Sequence, residues 1–174
     1  MTDAIDYSWA RYSGAQLKAL GVTDVFRYVG PSAWGKTIAQ AEYDDLVGNG
    51  LRVWLVFESG SNDSDGGFNA GTANAHTALQ YAPTGYVGPI WFAADEALSG
   101  AELATAVDYI RGASVAMGGA ERTGVYGEGQ LCQECHDAGW AESPFRLPPV
   151  WYFPPQGPVG VCRKRSINDL ITEV

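Results

Sequence analysis

The chain has 174 residues, of which 46% are apolar and 18% charged, a composition that excludes a disordered polymer and fits one folded domain spanning residues 1–174. Twenty acidic residues against 11 basic ones leave a formal net charge of −9, which argues against a surface that follows phosphate backbones or anionic lipid, and so against a nucleic-acid partner. No run approaches the roughly 18 apolar residues of a bilayer span, and Met1-Thr2-Asp3-Ala4-Ile5-Asp6 lacks the basic and then apolar profile of a signal peptide. The expectation is a protein made in the cytoplasm, with no integral membrane segment.

In chain order, short β-rich runs alternate with segments of helical period. Ala4 to Tyr7 reads as a strand, and Ser13-Gly14-Ala15-Gln16 as a capping box that opens a helix. Asp24 to Val29 is a second strand, followed by a second box at Thr37-Ile38-Ala39-Gln40. Arg52 to Glu58 forms a third strand, Ser59 to Gly67 a loop rich in Gly, Ser, Asn and Asp, and Asn69 to Tyr81 an Ala-rich helix. The fourth strand runs from Pro89 to Asp95. A third box, Ser99-Gly100-Ala101-Glu102, precedes a helix whose apolar face is Leu103, Val107 and Ile110 and which stops at Gly118-Gly119. Thr123 to Tyr126 is a fifth strand and Gln130 to Ala138 a further helix. Beyond Gly139 the prolines restrict regular structure to an apolar run at Val150-Trp151-Tyr152-Phe153, with one last strand and a short helix between Val159 and Val174. Strands this apolar on both parities are expected in a parallel sheet covered on both faces, an α/β fold.

In such folds, functional groups gather at the carboxyl ends of the strands. Asp6, Glu58 and the Asp95-Glu96 pair stand at three of these ends, among Tyr28, Trp54, Trp91 and Tyr126. A carboxyl group desolvated by aromatic neighbours is kept protonated, as a general acid requires, and flat rings offer stacking faces to sugars. The alternative is that the acids are structural and paired with Arg27, Lys36 or backbone amides.

The blocks Ala4-Ile5-Asp6-Tyr7, Phe26-Arg27-Tyr28, Lys36-Thr37-Ile38, Leu55-Val56-Phe57-Glu58, Ile90 to Asp95 and Gly124-Val125-Tyr126-Gly127 resemble, in order, those of a glycoside hydrolase-like family of actinobacterial and phage proteins. That family is related to the family twenty-five muramidases. The resemblance implies a TIM-like (β/α) barrel, shortened or incomplete at its C-terminal end because about 250 residues are usual for a full barrel. It further implies a pocket holding Asp6, Glu58 and Asp95, with a substrate-binding set of Arg27, Tyr28, Trp91, Glu96, Tyr126 and Trp151, and peptidoglycan or another glycan as substrate. In glycosidase chemistry, one carboxyl group protonates the leaving oxygen while another acts as nucleophile or base. Glu58 is assigned as acid, Asp95 as the second carboxylate and Asp6 as a positioning group. The chain departs from the family pattern at Ala97, where a second strand-four acid is usual, and at Ser166, where an Asp is usual.

Two functions follow. One is a muramidase-like peptidoglycan hydrolase of endolysin type, reaching the wall after holin-type release or as part of a phage particle. The other is an inactive barrel that binds glycan or serves a structural role. A rival motif, Cys132-Gln133-Glu134-Cys135-His136, has the C-x-x-C-H form of haem attachment and, with Cys162, that of a metal site. With no export signal and a position inside a helix, it reads as ordinary thiols, so neither cofactor nor metal is expected. Asp63 and Asp65 read as loop residues rather than calcium ligands.

Overall fold

The computed structural model describes residues 3–94 and 97–141. Five strands, β1 (Asp3–Asp6), β2 (Val22–Tyr28), β3 (Arg52–Phe57), β4 (Ile90–Ala94) and β5 (Thr123–Gly127), pair in sequential order, and every pairing is parallel. The connections hold helices α1 (Gly14–Ala19), α2 (Gln40–Gly48), α3 (Gly67–Tyr81) and α4 (Ala101–Met117), with α5 (Gly129–Asp137) after β5. This is an α/β fold consistent with a TIM-like barrel. The expected elements beyond Gly139, including the run at Val150 to Phe153, lie outside the described residues. No helix among the described residues is long and apolar enough to cross a membrane.

Period-2 alternation divides the sheet into two faces. Ile5, Val25, Leu55, Phe57, Ile90 and Phe92 pack against the helices, where Leu17, Leu46, Tyr109 and Leu131 have no solvent exposure. At about 1.5–3 kcal/mol for each large apolar side chain removed from water, this layer is the main source of stability. The opposite face carries a second cluster of Ala4, Phe26, Val56, Trp91, Ala93 and Tyr126, with Tyr28 and Trp54 packed against it. The burial of both faces explains why the strands are apolar on both parities.

Helices α3 and α4 cross with almost no space between them. A Cβ added at Gly71 would lie 1.9 Å from the Tyr109 carbonyl oxygen, and one at Gly112 would lie 2.0 Å from that of Phe68. Only glycine permits this approach.

Of the three expected capping boxes, only the first forms. Ser13 Oγ accepts from the Gln16 amide at 3.2 Å, and Gln16 Oε1 accepts from the Ser13 amide at 2.9 Å. Thr37 does not cap α2, whose N-cap is Ala39; it forms a parallel bridge with Tyr28, and its hydroxyl donates to the Pro31 carbonyl. The sheet edge has captured a residue that local pattern assigned to the helix. Helix α4 begins one residue later than its box requires, with Gly100 as N-cap, so the Ser99 hydroxyl meets the Glu102 carboxylate at 3.4 Å rather than an amide.

Candidate functional site

The inner face of the sheet presents its side chains in rows set by strand register. Asp6 aligns with Phe26 and, through it, with Trp54. Tyr28 aligns with Val56, Trp91 and Gly124 in the next row, and Ala93 aligns with Tyr126 in the one after. Glu58, two residues past Val56, continues β3 on this face. Asp6 and Glu58 thus occupy the carboxyl ends of β1 and β3, while Glu58 lies four residues beyond the Asp6 row, about 13 Å along the strand direction. Staggering of strand ends accompanies the strand tilt of a barrel.

The segment between β2 and α2 delivers a cation to this rim. A 3-10 turn over Ser32–Trp34 reverses the chain, and the bridge between Tyr28 and Thr37, reinforced by the Ile38 amide donating to the Tyr28 carbonyl at 2.8 Å, returns it to the sheet. Lys36, just before the bridge, donates to Glu58 Oε2 at 2.9 Å, with its ammonium 4.6 Å from the centre of the Tyr28 ring. Both members of this ion pair are mostly buried, with side chains 17% and 25% exposed. Tyr28, Lys36 and Glu58 therefore form one contiguous group. Asp6 is half-buried at the end of β1, and Tyr126 is buried in the inner cluster. Trp91 lies deep in that cluster, edge-on to Phe26 at 5.8 Å, as part of the floor beneath the rim.

Arg27 does not join them. Adjacent to Tyr28 on an extended strand, it points to the helix face, where it is fully buried. Its Nε donates to Glu42 Oε1 at 2.7 Å, its second amino group to Glu42 Oε2 at 3.3 Å, and its first to the carbonyls of Tyr7 and Ser8. The guanidinium also lies 4.4 Å from the Tyr7 ring centre. Burial, followed by the Glu42 carboxylate, pushes the Tyr7 hydroxyl pKa upward, and that hydroxyl donates to Glu42 at 3.1 Å. The arrangement ties β1 and β2 to α2 and keeps Arg27 from lining a pocket at the inner rim. Asp95, Glu96 and Trp151 lie outside the described residues.

Glu128 is a further acid beside the strand ends, outside the set that the sequence pattern picks out. It follows β5 two residues after Tyr126, and as the N-cap of α5 it makes no side-chain cap. Its carboxylate instead accepts from the Leu98 amide at 3.4 Å. Its spacing from Tyr126 was the available signal. Asp24, fully buried at the opposite end of β2, binds Arg52 and the Trp54 indole at 2.7 and 2.8 Å and serves the fold.

Cys132 and Cys135 are free thiols on the buried side of α5, whereas His136 is exposed beside Asp137, so the C-x-x-C-H residues diverge. Cys162 lies outside the described residues. Burial pushes the Cys132 thiol up to about 11, and burial, then Cys132 itself, pushes Cys135 up as well, which opposes the thiolate that metal binding needs. No group of three or more His, Cys, Asp or Glu side chains suited to a metal ion occurs among the described residues. Asp63 instead holds the segment after β3, accepting from the Ser59 amide at 2.7 Å and from its hydroxyl.

Residues 15–157 match the model of the Rv2525c-like, glycoside hydrolase-like domain family. Two crystal structures of the Tat-secreted protein Rv2525c of Mycobacterium tuberculosis are similar to this chain. The one in complex with HEPES superposes with a TM-score of 0.69 at 30% identity, covering 78% of this chain and 73% of that one. The one in complex with L-tartrate gives 0.70 at 30% identity, covering 78% and 72%. No curated protein is significantly similar.

Proposed function

The chain belongs to the Rv2525c-like, glycoside hydrolase-like family, and from that premise we propose that it hydrolyses the glycan strands of bacterial peptidoglycan with carboxylates at the rim of its sheet. The observation that carries this reading is the grouping of Glu58, Lys36 and Tyr28 at the carboxyl ends of β2 and β3, above an aromatic floor. A site that cleaves a glycosidic bond needs two carboxyl groups, one charged and one protonated. Glu58, as acceptor of the Lys36 ammonium, is the charged member and stabilises the positive charge that develops on the sugar. This reverses the role its sequence position first indicated. Asp95, immediately after β4 in the sequence, is the proton donor, and Asp6 positions the substrate from β1. Tyr28 and Tyr126 supply the apolar and hydroxyl contacts that orient a sugar ring. The Tat-secreted relative supports action beyond the cytoplasmic membrane, where peptidoglycan is found.

Incubation with purified peptidoglycan tests the proposal. The wild-type chain releases new reducing ends, and Glu58→Gln and Asp95→Asn each reduce the rate by roughly 10²–10⁴-fold, the usual contribution of a carboxyl group acting in the transition state. Release that survives both substitutions overturns the assignment. A second reading, a barrel that binds wall glycan without cutting it, is favoured by the ammonium already seated on Glu58 and by the absence of an acid at Ala97. Retention on the wall with no reducing ends would select it.

A further inference from the structure

Trp9, between β1 and α1, is an indole 69% exposed to solvent, yet it is held in place from below. The segment that carries it is fixed by Arg11, whose guanidinium donates to the carbonyls of Ser8 and Ala10 at 2.9 and 2.7 Å, closing the β1–α1 segment on itself. The same group donates to the Gly35 and Thr37 carbonyls at 2.8 and 3.4 Å, binding that segment to the one between β2 and α2. The ring rests against Gly35, whose backbone has φ 70° and where an added Cβ would come within 2.8 Å of the indole Cζ3. The next residue is Lys36, which holds Glu58. A continuous line therefore runs from Trp9 through Gly35 and Lys36 to the rim carboxylate.

We propose that Trp9 is a stacking platform for a pyranose ring, forming a sugar subsite joined to Glu58 through Gly35 and Lys36; this rests on the glycan reading above and adds a residue to it. The apolar C–H face of a β-linked N-acetylhexosamine is weakly positive at its hydrogens and complements the negative face of an aromatic ring. A rigid ring binds at small entropic cost because little freedom remains to be lost. Ser8, Ala10 and Arg11 beside Trp9, and Gly35 beneath it, add little apolar area. Protein docking and membrane insertion both call for a broad contiguous patch, whereas one sugar needs a single ring with polar groups nearby.

The probe is a soluble β-1,4-linked tetrasaccharide of alternating N-acetylglucosamine and N-acetylmuramic acid, titrated calorimetrically into the full chain. Trp9→Ala weakens binding roughly tenfold or more and Trp9→Phe less so, a stacking contact of this kind corresponding to about a tenfold change. In the wild-type chain, saturating tetrasaccharide protects Trp9 from oxidation by N-bromosuccinimide, located by peptide mass mapping, a readout independent of the variants' folding. Unchanged affinity in Trp9→Ala, or no protection of Trp9 when the wild type is saturated, overturns the platform and leaves the glycan reading intact. If the wild-type chain neither binds the tetrasaccharide nor is retained on purified wall, both fall together.

Discussion

Replacing Glu42 by Gln strips the charge partner from Arg27, a guanidinium with no solvent exposure, and is expected to cost about 3–5 kcal/mol. Glutamine preserves the shape of the side chain but offers one neutral carbonyl where the carboxylate received Arg27 at 2.7 and 3.3 Å and the Tyr7 hydroxyl at 3.1 Å. What remains for Arg27 is the carbonyls of Tyr7 and Ser8, which do not neutralise it. Arg11, 3.5 Å from Glu42 and 44% exposed on its side chain, contributes little to the pair because solvent screens it. Domains of this class have total stabilities of about 5–15 kcal/mol, so the loss lowers the thermal midpoint by about 6–20 °C. Urea unfolding followed by far-ultraviolet circular dichroism measures it, with an unchanged m-value showing that the transition is the same one. The double variant Arg27→Met/Glu42→Leu recovers part of the loss because no buried charge is left, but not all of it, because the Tyr7 carbonyl loses its donor. A cost below about 1 kcal/mol for Glu42→Gln would refute the reasoning. It would mean that Arg27 is solvated and available to a ligand at the strand ends.

The α3–α4 crossing makes a prediction of opposite sign to helix propensity. Gly112→Ala would gain about 1 kcal/mol in an isolated helix, but the added methyl meets the Phe68 carbonyl at 2.0 Å, so a net loss of about 1–3 kcal/mol is expected in thermal unfolding; stabilisation would contradict the packing. The Cys132 thiol, raised from 9.0 to about 11 by burial, stays protonated in the fold while the unfolded chain ionises. Its contribution is fully present below pH 9 and is lost as pH rises to about 11, a fall of about 2–3 kcal/mol. Urea midpoints compared between pH 8 and pH 10 should decline less in Cys132→Ala than in the wild type, and equal declines would refute this origin of the pH dependence.

The sequence alone carried the alternation of strands and helices, the positions of all five described strands and the family resemblance, because those signals are local in composition and period. It placed Asp6 and Glu58 at strand ends for the same reason. The face on which Arg27 lies was hidden by burial on both sides of the sheet: Val25 and Val29 are as apolar as Phe26, so alternation revealed two faces without saying which of them met the helices. Thr37 had the local pattern of a helix cap but was taken by Tyr28 across the sheet, a pairing visible only once the chain has turned back on itself. The seating of Lys36 on Glu58 and of Trp9 on Gly35 belongs to the tertiary structure, since each joins segments more than 20 residues apart through contacts that neither segment encodes by itself.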